Sequence, residues 1–328
     1  MILRVIPSYI VLTTYFLTSS SGVFANGTPF EDIIGANKVH SPHASITPNP
    51  EEYPTGKGEK VIVIESRFNP GHDAYLSNLT ESTIDHFKVP TDGKFDSHGS
   101  HVTSTLTKVA PKAAIRVIDY GGEAYVPAFT SKNSQVYSIA KALQIAAQDE
   151  KAKIVNLSLS LTPQTRYMPA IPSLTREAMI KVARSGKLIV MAAGNQHVPL
   201  GKDDYTRSLV SLANDPEMLG RLILVGATKC DIWGERLADF SDSASQAKEH
   251  FISAPGVKIV GANAFNGETI LNGTSMAAPQ VSAALALLME AQPGLKLEEY
   301  KEALLKSARQ ESLNNSYIFP PKPMVMVS

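Results

Sequence analysis

The chain has 328 residues, 43% of them hydrophobic, with 31 basic and 31 acidic side chains and a formal net charge of +0. That length supports a large core, and the charge balance argues against a strongly basic nucleic-acid or membrane-surface binder. One cysteine, Cys230, excludes an intrachain disulfide framework; at the end of LILVGATKC it reads as a small core residue.

Residues 1–25 read as a cleaved export signal. Arg4 gives a positive start, VIPSYIVLTTYFL is an apolar stretch broken by Pro7, and Val23-Phe24-Ala25 offers small residues at the two positions a signal peptidase reads. No later segment is long and apolar enough to span a bilayer. The expectation is an exported chain, periplasmic or extracellular, with no membrane contact after signal removal. Residues 26–57 are polar and dotted with proline, and read as an arm with one short helix in FEDIIGANKV.

Strands and helices then alternate. VIVI (61–64) is a β-branched run of the kind buried on both faces of a parallel sheet. It ends on Glu65, at the strand end where ligands and catalytic groups gather in open α/β sheets. On its own, such an acid is more often a solvated strand edge. HVTSTLTKVA (101–110) reads as a helix, AIRVIDY (114–120) as a strand, and SQVYSIAKALQIAAQDE (134–150) as a helix by its apolar spacing. KIVNLSLS (153–160) is a strand, and LTREAMIKVARSG (174–186) is an amphipathic helix stopped by Gly186. KLIVMAAGN (187–195) and RLILVGAT (221–228) are strands, FISAPG and KIVGA are shorter ones, and SMAAPQVSAALALLMEAQPG is a helix. This alternation predicts an α/β fold, a mostly parallel central sheet with helices on both faces. The division expected is signal 1–25, arm 26–57, main domain 58–310 and tail 311–328.

Three motifs sit at strand ends or helix starts. In DSHGSHV, His98 precedes a helix and Gly99 permits close backbone approach. In VMAAGN, Asn195 is a neutral amide able to donate to a developing oxyanion without titrating. In NGTSMAAP, Ser275 opens a helix whose unpaired N–H groups suit an anionic intermediate. Pro279 is expected in a first turn, where its missing N–H removes no helix bond.

With these motifs in this order, the chain resembles the subtilisin-like serine proteases, the subtilase family, over roughly residues 30–310. TGKGEKVIVIES is similar to the family's acid strand, DSHGSHV to its histidine motif, VMAAGN to its oxyanion-asparagine motif and NGTSMAAPQVSAALALL to its serine motif. The order acid, histidine, serine is also subtilisin's. The resemblance implies a serine endopeptidase acting on a protein or peptide, with no cofactor in the chemistry; structural calcium and oligomeric state stay open. It implies Ser275 as nucleophile, His98 as general base and then acid, and Asn195 with the Ser275 N–H as oxyanion hole. Ser158, Leu159 and Ser160, and Ala192, Ala193 and Gly194, become the strand edges that pair with substrate backbone.

The chain departs from the pattern in several places. Where the family has Asp, then Ser or Thr, then Gly, it has Glu65, Ser66 and Arg67. A glutamate can fill the acid's role but is a methylene longer, and Arg67 could compete for it. Asp96 and Asp73 are substitute acids. Ser160 replaces a pocket glycine, and the stretch after Asn195 lacks the glycine-rich pocket floor and reads as partly helical. The alternative function is a catalytically impaired subtilase that binds peptides or proteins. A sedolisin-type enzyme would carry an acid in place of His98, and an α/β-hydrolase would need G-x-S-x-G where this chain has GTSMA.

Overall fold

The structure, a computed structural model, describes residues 54–66, 68–80, 83, 97–121, 134–162, 169–231 and 234–308. The export signal, all of the arm before residue 54, Arg67, Asp96 and the tail lie outside the described residues.

The sheet is built from β1 (Lys60–Glu65), β2 (Ala114–Asp119), β3 (Ile154–Leu157), β4 (Leu188–Ala192), β5 (Leu222–Asp231), β6 (Gly234–Leu237) and β7 (Phe251–Pro255). Its order is β2-β1-β3-β4-β5, with β7 parallel to β5 and β6 antiparallel to the end of β5. The other pairings are all parallel. The helices between strands are α1 (Ser97–Val109), α2 (Ser134–Gln148), α3 (Ser173–Arg184) and α4 (Asp204–Ala213); α5 (Thr274–Ala291) and α6 (Leu297–Ser307) follow the hairpin β8 (Ile259–Ala262) and β9 (Glu268–Leu271).

The β1 run shows why the sheet is covered twice. Val61 and Val63 enter one core with Val102 and Leu106 of α1 and Met276 and Val281 of α5. Ile62 and Ile64 alternate to the other, with Ile139 and Leu143 of α2, Met179 of α3 and Leu209 of α4. All four strand residues are fully buried, as a period-two pattern without a polar face requires. β2 lies on one side of β1 and β3 on the other, so the chain reverses direction across the sheet at β1. Such a reversal opens a crevice at the carboxyl ends of the strands.

α5 runs through the first core with nearly every side chain from Met276 to Met289 buried. At its far end Glu290 Oε2 accepts the N–H groups of Thr55, Gly56 and Lys57 at 2.5, 2.6 and 3.1 Å. The chain is thereby clamped just before β1.

Several elements differ from expectation. α1 begins at Ser97, so His98 lies inside its first turn and not ahead of it. The stretch after Asn195 is partly helical as expected: it contains α4, capped by Asp203, whose side chain accepts from Thr206 N while Thr206 Oγ1 accepts from Asp203 N. Pro279 lies deeper in α5 than the first turn, because the helix already starts at Thr274.

Candidate active site

The carboxyl ends of β1, β3 and β4 and the first turns of α1 and α5 meet at one cleft of about 510 Å3. Glu65, His98, Ser158, Leu159, Ser160, Ala192, Gly194, Asn195 and Ser275 all line it. Ala193 does not; it is fully buried and donates its N–H to Val225 O. Residues far apart in sequence converge here because each ends a strand or starts a helix on the same edge of the sheet.

Glu65 is 2% exposed. Its Oε2 lies 3.1 Å from His98 Nδ1, while Oε1 has no hydrogen-bond partner among the described residues. The distance depends on Gly99: a Cβ there would fall 3.0 Å from Phe68 Cβ, 3.1 Å from Ser66 O and 3.3 Å from Glu65 Cβ. A side chain there would press on all three, and glycine lets α1 seat this close on the end of β1 without that crowding. The substitute Asp73 is exposed, and its carboxylate accepts from Asn266 Nδ2 at the surface.

The second histidine of the HGSH motif has a different fate. His101 is fully buried, its Nε2 is 2.9 Å from Ile259 O, and burial pulls it down to about 4. It is a neutral strut between α1 and β8, against whose Gly261 its ring packs.

Ser275 is held from β3. The i→i−4 bond of a helical residue 279 would run to Ser275 O, but proline has no N–H to give. Ser158 Oγ donates to that carbonyl instead, at 2.9 Å. Asn156 Nδ2 donates to Ser158 Oγ at 3.0 Å, and Ser282 Oγ to Asn156 Oδ1 at 2.9 Å. The first turn of α5 is thus tied to the sheet through the gap that Pro279 leaves. Ser275 Oγ itself donates to Ser158 O at 3.2 Å.

Asn195 is anchored by its oxygen. Oδ1 accepts from Thr274 N at 2.9 Å and from Thr274 Oγ1 at 3.0 Å. This bonding fixes which end of the amide carries the donors. A Cβ on Gly273 would stand 3.5 Å from Asn195 Nδ2 and 3.6 Å from Ser275 N, so both nitrogens face one small space. Gly273, at φ 150, leaves that space open.

Ser66 and Thr274, neighbours of Glu65 and Ser275, also line the cleft, and Tyr120, Gln135, Gln196 and Tyr205, to which the motifs did not point, complete it. Tyr205 comes from the first turn of α4 and is 4% exposed. Its hydroxyl accepts from Leu161 N at 3.4 Å and bonds the Ser160 side chain; burial pushes its pKa up. The loss of the glycine-rich floor was the one signal that something bulkier stood here. Among the described residues, no three His, Cys, Asp or Glu side chains gather where they could hold a metal ion.

Comparison with known proteins gives a consistent picture. The subtilase family model matches residues 56–319. Subtilisin DY of Bacillus licheniformis is 27% identical over 266 residues, covering 80% of this chain and 88% of its own. The major intracellular serine protease of Bacillus subtilis is 28% identical, covering 71% and 69%. Among solved structures, sphericase superposes with a TM-score of 0.57 at 23% identity, covering 83% of this chain and 88% of its own. A cold adapted subtilisin-like serine proteinase gives 0.54 at 21%, covering 82% and 88%. These structures share the fold described above.

Proposed function

The chain belongs to the subtilase family of serine endopeptidases, and from that premise we propose that it cleaves peptide bonds through an acyl-enzyme on Ser275. The substrate's extended backbone lies along Ser158-Leu159-Ser160 and past Ala192 and Gly194 as an added strand, while Ala193 stays bonded into the sheet. The Ser275 hydroxyl rotates away from Ser158 O and attacks the scissile carbonyl carbon while His98 Nε2 takes its proton. Negative charge collects on the carbonyl oxygen, where Asn195 Nδ2–H and the Ser275 N–H donate to it. His98 then returns the proton to the leaving amine as the C–N bond breaks. Water attacks the ester by the same route and releases the acid. Glu65 accepts the Nδ1–H throughout, which selects the tautomer with a free Nε2 and stabilises the imidazolium. No cofactor enters this scheme.

The observation that carries the reading is the 3.1 Å contact between Glu65 Oε2 and His98 Nδ1. One methylene longer than aspartate, the glutamate still reaches the imidazole. The rival reading, an impaired subtilase that binds peptides, draws on the Ser275 hydroxyl resting on Ser158 O. Labelling by a fluorophosphonate probe separates the two, because only an activated serine reacts readily. For location, we read residues 1–25 as an export signal and the mature enzyme as periplasmic or extracellular. The N-terminal composition supports this, and no helix among the described residues is long and apolar enough to cross a membrane.

A further inference from the structure

The loop that carries Asn195 is strained and is held by one buried carboxylate, Asp242. Gly194 stands at φ 125 and His197, a non-glycine residue, at φ 56. Backbone of this kind persists only where its surroundings over-determine it, and it clusters at functional sites. Here the surroundings are the segment 240–243. Asp242 N donates to Gly194 O at 3.0 Å and His197 N to Phe240 O at 2.9 Å. Asp242 Oδ1 accepts both Gln196 N, at 3.1 Å, and Val198 N, at 2.8 Å. The side chain is fully buried, and its Oδ2 has no partner among the described residues. A Cβ on residue 194 would lie 2.1 Å from that oxygen, so the carboxylate packs directly on the Gly194 backbone.

We propose that Asp242 is the positioning residue of the oxyanion donor: by bridging the N–H groups on either side of His197, it holds Asn195 against Thr274 and Ser275. Asn195 is anchored twice. Thr274 fixes its amide, and Asp242 fixes the backbone from which the amide springs. Without the bridge, the two left-handed residues can relax, and the Nδ2 donor drifts from the place where negative charge develops. Asp242 touches no substrate in this scheme and acts only through Asn195. The inference rests on reading Asn195 as the oxyanion donor.

The test is a double-mutant cycle on a chromogenic peptide substrate, with rates normalised to active enzyme by fluorophosphonate titration. Asp242→Ala should lower kcat by ~10- to 100-fold with KM nearly unchanged, the penalty of a donor misplaced by up to ~1 Å. Asp242→Asn, whose single carbonyl oxygen can still accept both N–H groups, should recover most of the rate. In the Asn195→Ala background, Asp242→Ala should lower kcat by less than ~3-fold, since residues acting as a unit are not additive. Asp242→Ser, too short to bridge, gives the same comparison if the alanine variant does not fold. Equal losses in the two backgrounds, an unchanged kcat, or an asparagine variant as poor as alanine would each overturn the proposal. Full kcat in Asn195→Ala alone would instead remove the oxyanion reading, and this inference with it.

Discussion

Replacing Glu65 by glutamine keeps the shape of the side chain and removes its charge. In the structure Oε2 sits 3.1 Å from His98 Nδ1 and the side chain is only 3% exposed. Taking about 4 Å between charge centres and an effective dielectric of about 20, the carboxylate stabilises the imidazolium by about 4 kcal/mol. Losing that in the transition state corresponds to ~10³ in kcat. A second loss adds to it. Because Oε1 has no partner among the described residues, none of them holds the new amide with its oxygen toward His98. If the NH2 faces Nδ1, the imidazole must carry its proton on Nε2, where it cannot accept one from Ser275. Glu65→Gln should therefore lower kcat by ~10³ or more; removing the aspartate of subtilisin, a member of the same family, costs ~3 × 10⁴. The assay is steady-state hydrolysis of a chromogenic peptide, with circular dichroism to verify folding. A folded Glu65→Gln variant at wild-type kcat would refute the reasoning and make Asp96 the next acid to test.

Other perturbations probe the rest of the account. Asn195→Ala should lower kcat by ~10²–10³ with little change in KM, the range measured for the equivalent loss in subtilisin; a raised KM with kcat intact would make Asn195 a ground-state binding residue. Asp242 should give stability a distinctive pH dependence. Burial raises its carboxyl from 3.8 to about 6, against the opposing N–H groups of Val198 and Gln196, with Asp203 adding to the rise and His197 reducing it. A raised folded value stabilises the protein below the unfolded value, and that stability is lost as pH climbs through about 6. Because His101, pulled down to about 4 by burial, titrates in the same window with the opposite sign, the quantity to read is the comparison between proteins: in denaturant titrations the wild type should lose on the order of 3 kcal/mol more than Asp242→Asn between pH 4 and pH 8. A wild-type profile no different from that of the asparagine variant would contradict this. Glu290→Ala removes the acceptor of three backbone N–H groups, so it should lower unfolding stability by about 1–3 kcal/mol. It should leave kcat untouched, because Glu290 lies about 22 Å along α5 from Ser275.

What the sequence disclosed follows from what is local. The alternation of Val61, Ile62, Val63 and Ile64 states directly that β1 is buried on both faces, and both cores bear this out. The motifs around His98, Asn195 and Ser275 are short because each is one strand end or helix start, and the sheet brings them to one edge. Long-range partners were hidden. Pro279 reads as a harmless early helix residue; only the fold shows that its missing N–H frees Ser275 O for Ser158 Oγ. His98 and His101 share one motif, yet three residues along α1 takes one to the cleft and the other under β8. Tyr205 and Asp242 belong to segments that are unremarkable in composition, and they matter only because those segments fold back against the loop after β4. No periodicity carries that information.

The central claim is that Ser275 is an activated nucleophile. Its most direct test is labelling of purified residues 26–328 with a fluorophosphonate probe, alongside the Ser275→Ala variant, with the modified peptide identified by mass spectrometry. The account predicts rapid labelling of the wild type at Ser275 and none in the alanine variant, together with loss of peptide hydrolysis; for the nucleophile of subtilisin that loss is ~10⁶ in kcat. A folded wild type that does not label, or an alanine variant that labels and hydrolyses like the wild type, would contradict it.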